Sequence, residues 1–293
     1  MKKSAIVRII LFGLLFLILL GFLLAGLAIN GFLKYKSAET RWEASYSAST
    51  TKPEQSHTPA NTAGSVSKIG IKWVSGNIFI QSGDVDQITY QETEVSDPKY
   101  KMIVNTSGDG LEIQYCSEVR GFTVFSFGTT IEITKDLIIT VPRDTVLKEI
   151  DIESASTNVT IQDVTIQEIE LKTASGKCKI TGCRVGELDI ETASGDIDFY
   201  GELNKLEFDA ASAKFTGVLT NTPKSILVDS MSGDLDVTLP ADSGFTVTMT
   251  AISGDFTSDF STTVSNGAYV CGNGTCQIQY NGMYGDIIIR KGE

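Results

Sequence analysis

The feature of this chain that most restricts its fold is a serine that returns at a nearly constant interval. Ser156, Ser175, Ser194, Ser212, Ser232 and Ser253 each stand in a corner of small residues, at spacings of 19, 19, 18, 20 and 21. Between corners the segments align. "STNVTIQDVTIQEIELKTA", "SGKCKITGCRVGELDIETA" and "SGDIDFYGELNKLEFDAA" each hold two runs in which apolar and polar residues alternate. In the copy that starts at Ser194, Ile197 and Phe199 alternate with Asp196 and Asp198, so one face of a strand is apolar and the other charged. Leu203, Leu206 and Phe208 supply the second run. About five inward side chains stabilise by roughly 1.5–3 kcal/mol each when fully buried. Ordering ~19 residues costs roughly 1.5 kcal/mol apiece, so one copy cannot stand alone and its stability lies in its neighbours.

The expected fold is therefore all-β: a β-solenoid, a β-helix-like two-sheet stack of ~19-residue repeats that advances about 4.8 Å per copy. The small corner residues let the backbone turn, because Gly tolerates positive φ and Ser bonds the turn backbone. An early copy, "SGNIFIQSGD", precedes the regular array, and in the closing "YGDIIIRKGE" Gly285-Asp286-Ile287 echoes Gly233-Asp234-Leu235. The copy at Ser253 is followed by an insertion. The "KGE" tail and the hairpin around Cys271 to Cys276 read as a cap on the stack.

The first part of the chain is different. Lys2, Lys3 and Arg8 precede an uncharged run from Ile9 to Leu33, long enough to cross a ~30 Å hydrocarbon core as a helix. A signal peptide has a shorter apolar core, about 7–15 residues, although "AGLA" at 25–28 offers a cleavage-like site. The expected organisation is a cytoplasmic tail at 1–8, a transmembrane helix at 9–33, a juxtamembrane segment and linker at 34–67, and a β-repeat domain at 68–293. The lipid bilayer is then the partner of the N-terminal helix, and the chain is single-pass in the cell membrane with its C-terminal domain outside. The linker "ASTTKPEQSHTPANTAGSVS" is too polar to bury a core and holds His57, the only histidine.

Charge excludes some functions. With 24 Lys+Arg against 36 Asp+Glu the net charge is -12, which argues against nucleic acid as a partner. A serine nucleophile at the corner needs a base, and the repeats contain no histidine. The column one step past the corner reads Asn158, Lys177, Asp196, Lys214, Asp234, Asp255. Lysines alternate with aspartates, which predicts a charge ladder through Lys177, Asp196, Lys214 and Asp234 contributing roughly 0.2–1 kcal/mol a pair. Calcium is the competing reading; it takes about six to eight oxygens and no adjacent ammonium. An acidic ligand-binding stripe is the third. No catalytic residue, metal or cofactor is assigned.

Of the five cysteines, Cys178 and Cys183 fall at inward positions and read as buried thiols, with a bridge between them as the alternative. Cys271 and Cys276 flank "GNGT" and are the candidate disulfide, provided the domain is outside the cell. Cys116 is left over.

The "SGDIxI"-type corners, the early "VSGNIFIQSGDVDQI", the central "KDLIITVP" followed by "LKEIDIESAS", and the closing "GNGTCQIQYNGMYGDIIIR" together resemble a bacterial β-strand-repeat family labelled "putative adhesin". The resemblance covers about residues 66 to 291. It implies a right-handed-type β-solenoid, often membrane-tethered, in bacterial envelopes, with some relatives linked to envelope stress. It implies no activity and no catalytic residues. The chain departs from the pattern in its cysteines, in Lys177 and Lys179, and in the broken corner "SAK" at Ser212. The expected role is a non-enzymatic binding or scaffold module that touches an envelope polymer or a surface or membrane protein. The alternatives are envelope-stress sensing through the helix, and end-to-end structural assembly of solenoids.

Overall fold

A computed structural model describes residues 66–116 and 134–293. The expected tail, the transmembrane helix at 9–33 and nearly all of the linker lie outside the described residues. Among the described residues, no helix is long and apolar enough to cross a membrane.

The described chain is all-β, with a single 3₁₀ turn at Pro98–Tyr100. The first part holds β1 (Lys68–Gly83), β2 (Thr89–Glu92), β3 (Ile103–Ser107), β4 (Gly110–Gln114) and β5 (Leu137–Pro142). The regular array is β6 (Val146–Gln162), β7 (Thr165–Ser175), β8 (Cys178–Ser194), β9 (Ile197–Ser212), β10 (Phe215–Leu219), β11 (Ser225–Ser232) and β12 (Leu235–Leu239). The last part is β13 (Phe245–Thr250), β14 (Phe256–Ser258), β15 (Thr263–Ser265), β16 (Ala268–Cys271), β17 (Cys276–Tyr284) and β18 (Ile287–Lys291).

The sequence period is the stacking period. Ile152 stands opposite Leu171, Leu171 opposite Ile190, and Ile190 opposite Phe208, all in parallel. Val228 and Tyr280 continue that column at one end and Ile71 at the other. Each of these side chains is at most 1% exposed. Every rung thus has a first leg running into the corner and a second leg leaving it. Ile78, Val159, Cys178, Ile197, Phe215, Leu235 and Ile287 form the matching buried column of the second leg. Polar backbone is satisfied by the rung on either side, and apolar side chains stack on their own equivalents, so burial and hydrogen bonding select the same register.

The corner glycines are fixed by close approach. Gly176 and Gly195 have φ of 129° and 123°. A Cβ on Gly195 would lie 1.9 Å from the carbonyl oxygen of Gly176, so rungs meet backbone to backbone at this edge.

The stack does not follow chain order at its ends. β1, first in sequence, is paired on one side with β6 and on the other with β4 and β5. β17 and β18, last in sequence, lie between β11 and β12 on one side and β13 and β14 on the other. The "KGE" tail therefore ends a penultimate rung and caps nothing, contrary to expectation. The caps come from the insertions. β2 runs antiparallel on β5 and β3 on β4 at one end; β16 runs antiparallel on β13, and β15 on β16, at the other. Very short edge strands are one means by which sheets blunt their edges.

Candidate functional site

The corner serines come together as a column. Ser156 faces Ser75 and Ser175, and Ser194 faces Ser212. Ser232 faces Tyr284, which also bridges to Ser253. Ser175 Oγ donates to the Ala155 carbonyl at 3.4 Å. Beneath the column lie buried hydroxyls: Ser154 Oγ donates to Thr173 Oγ1, which donates to the Ser175 carbonyl, both at 3.0 Å. Thr192 repeats this with Ser194. The hydroxyls support the turn backbone, and among the described residues no histidine stands beside any of them.

The column past the corner works differently from a ladder of ion pairs. Asp196 Oδ1 accepts the backbone N–H of Lys214 at 3.3 Å, and Asp234 Oδ1 accepts that of Asp286 at 3.0 Å. Lys177 N–H donates to Asn158 Oδ1 at 3.0 Å. The same contact links Asp136 to Asn77 and Asp286 to Asp255. Among the described residues no ion pair joins Lys177, Asp196, Lys214 and Asp234. The corner interrupts the backbone ladder and leaves an N–H without a strand partner; a short Asx side chain one rung away reaches it. The long stem of Lys214 carries its ammonium instead to Asp236 at 3.1 Å, which Arg290 also holds by two bonds at 2.8 and 3.1 Å. Among the described residues no group of three or more His, Cys, Asp or Glu is arranged to hold a metal.

All five cysteines are buried and free. The candidate Cys271–Cys276 bridge is corrected by topology. Both residues face Phe245, Cys271 from β16 and Cys276 from β17, on opposite sides of β13. Two strand spacings, about 9.6 Å, separate them, beyond the roughly 4.4–6.8 Å that a disulfide spans. Burial pushes the thiols of Cys178 and Cys276 up to about 12 and that of Cys183 to about 11, so they are inert core groups.

Two features escape a reading of the corners. The first is a buried lysine. Lys135, 2% exposed, donates to Glu92 at 2.5 Å, to the Tyr100 carbonyl at 2.7 Å and to the Tyr115 carbonyl. Its ammonium lies 4.4 Å from the Tyr115 ring centroid and 5.0 Å from that of Trp73, whose Nε1 donates to the Lys135 carbonyl. Glu92 also accepts from the Met102 N–H. Burial lowers the Lys135 pKa, with Glu92 opposing that shift. The cluster ties β2 and the 3₁₀ turn to the first rungs.

The second is the outer face of the first legs. Its three columns read Lys68–Glu149–Glu168–Glu187–Lys205, then Asp151–Glu170–Asp189–Glu207, then Lys72–Glu153–Lys172–Glu191–Asp209–Asp229. Eleven carboxylates thus meet four ammonium groups on one wall. The ammonium groups are already paired: Lys68 with Glu149, Lys72 with Glu153, Lys172 with Glu170, and Lys205 with Glu187 and Glu207. The second legs present a mixed wall, with Thr160, Lys179, Asp198, Thr216 and Asp236 in one column and Gln162, Thr181, Tyr200, Val218, Thr238 and Arg290 in the next; Tyr200 and Val218 face each other and are 52% and 41% exposed. The signal for the acidic wall was present in "EIDIES", "EIELKT", "ELDIET" and "KLEFDA".

A family model described as Toastrack DUF4097 matches residues 66–213 and 154–290. No curated protein matches the chain. Among solved structures, a "putative cell adhesion protein" from Clostridium sporogenes is 13% identical, with a TM-score of 0.39, covering 80% of this chain and 97% of its own. A "putative adhesin" from Bacteroides fragilis is 16% identical, with a TM-score of 0.48, covering 77% of this chain and 93% of its own.

Proposed function

The chain belongs to the Toastrack DUF4097 family, and on that premise we propose that it is a non-enzymatic display and binding module of the cell envelope. The 9–33 segment anchors it in the bilayer, the 34–67 segment tethers it, and a two-sheet solenoid of ~19-residue rungs stands outside the membrane. Its binding surface is the acidic wall, and its partner is an envelope polymer or a surface protein that carries clustered positive charge. The observation that carries this reading is the excess of carboxylates over ammonium groups on one flat face, with every ammonium already paired internally. Such a face attracts a cationic partner and is screened by salt. Side chains that would make a nucleophile, a base and an oxyanion site converge nowhere on it. Antiparallel caps at both ends favour a discrete module over an open filament.

The test uses the full chain and an oligolysine probe at low and high salt. The triple variant E168Q/E191Q/D229N removes three wall charges; a control removes three exposed acids elsewhere, D242N/D255N/D259N. The expected result is weakened binding in the first and near-normal binding in the second. Equal loss in both would mean that net charge alone attracts the probe, and the assignment of the wall would fall.

A further inference from the structure

This inference rests on the reading of the wall as the binding surface and concerns its regulation. On β9, Asp209 stands between Glu191 of β8 and Asp229 of β11. Glu207 lies on its own strand, and Asp189 is diagonal to it on β8. Beyond Asp229 comes Asn281 of β17, whose Nδ2 donates to Asp229 Oδ1 at 2.7 Å. Lys205 is engaged with Glu187 and Glu207, and Lys172 with Glu170. A second such position is Asp151 on β6, flanked by Gly70 of β1 and Glu170 of β7. Glu153 follows it on its own strand, Lys72 and Lys172 are the cations within reach, and its Oδ1 is buried without a partner. Parallel strands hold these columns about 4.8 Å apart, close enough for each carboxylate to disfavour ionisation of the next.

We propose that this carboxylate stack is a proton-operated switch: on mild acidification Asp209 and Asp151 take up protons, which firms the stacked rungs and weakens the grip of the wall on a cationic partner. Burial first, then Asp229, Asp189, Glu191 and Glu207, push the Asp209 carboxyl up to about 7. Burial, then Glu170 and Glu153, push Asp151 up to about 6 against the opposing effect of Lys172 and Lys72. Asp189 is raised too, by burial and then by Glu207, Glu170 and Glu187, with Lys172 opposing. A carboxyl raised by folding destabilises the folded state once ionised. That penalty is absent below the ordinary carboxylate range near pH ~4, grows as pH rises, and is complete above the raised values. The folded chain is therefore firmer at mildly acidic than at alkaline pH, while the wall is most charged at alkaline pH.

The test is thermal unfolding of the full chain at mildly acidic and mildly alkaline pH, followed by tryptophan fluorescence, for the wild type, Asp209→Asn, and Asp242→Asn as an exposed control. The wild type is expected to melt several degrees higher in acid. Asp209→Asn should raise the alkaline melting point and narrow the difference; Asp242→Asn should leave the difference as it is. A pH difference equal in Asp209→Asn and wild type, or a wild type firmer at alkaline pH, overturns the proposal. The carbon-13 shift of the wild-type Asp209 carboxyl gives an independent reading: a midpoint near neutrality supports the switch, and an ordinary carboxylate midpoint ends it. Oligolysine binding separates the two ideas. Binding that is equal at both pH values with a flat melting profile sinks the switch alone. Absent binding with an Asp209-dependent melting profile sinks the binding reading, and with it the effect on grip, while the protonation that firms the rungs stands.

Discussion

The middle of the stack and its two ends are made of the same rung but held by different means. From β6 to β12 each rung rests on the copy before it and carries the copy after it, at offsets of 18 to 20 residues for Asp189–Glu207, Leu171–Ile190 and Phe215–Leu235. At the ends the contacts jump. β1 meets β6 at an offset of 81 residues, and β11 meets β17 at an offset of 52. The middle is a quasi-one-dimensional array in which any rung is supported by local neighbours. The ends are closed by distant segments, and the first and last strands are each clasped between two others. Local stacking supplies the core, and long-range clasping supplies the boundary that an array lacks.

That contrast is open to attack by mutation. Ending the chain at Thr275 removes β17 and β18, and with them the rung through which, among the described residues, β13 and β14 join the array. The expected effect is loss of a cooperative melting transition and strong binding of a dye for exposed apolar surface; a normal transition would mean that the end is not clasped. In the middle, Gly195→Val sets a Cβ against the Gly176 carbonyl at a left-handed backbone position. It should cost about 4 kcal/mol or more in urea unfolding. At the N-terminal end, Lys135→Met strips the cation from the buried Glu92 and should cost about 3–5 kcal/mol. Hydrogen exchange should rise chiefly over 89–114, and the double change K135M/E92L should recover much of the loss. Smaller again, Leu206→Ala opens a cavity between Leu188 and Ile226 and should cost about 2–5 kcal/mol, with the end strands unaffected in exchange.

The rungs were legible because the repeat is a direct copy: a corner serine, an alternating leg, a turn. The order of the end rungs was not, and the reason is the same self-similarity. Ile226, Ile278 and Val247 are equally good inward residues on β11, β17 and β13, so nothing local in the sequence says that β17 lies between the other two. The "GNGT" tip read as a simple hairpin for the same reason; the intervening β13 comes from 31 residues before its β17 partner, at Val247–Ile278. The lysine–aspartate alternation at Lys177, Asp196, Lys214 and Asp234 was visible, yet a corner exposes unpaired peptide N–H groups and the aspartates turn to those. The acidic wall went unread because its carboxylates sit in the first legs, where alternation with Ile and Leu looks like ordinary strand polarity. Lys135 opens "KDLIITVP" as an unremarkable flanking charge; only the fold brings Glu92, Trp73 and Tyr115 around it.

The inserted rung is the claim on which this account of the molecule depends, and paired cysteines test it most directly. Ser232 faces Tyr284 on the adjacent strand, about 4.8 Å away, whereas Ser253 lies on the far side of Tyr284, about two spacings off and outside disulfide reach. Under mild oxidation the variant S232C/Y284C should form an intramolecular bridge in high yield and S232C/S253C should not. A bridge in S232C/S253C with none in S232C/Y284C would show the rungs stacked in chain order and would contradict the structure described.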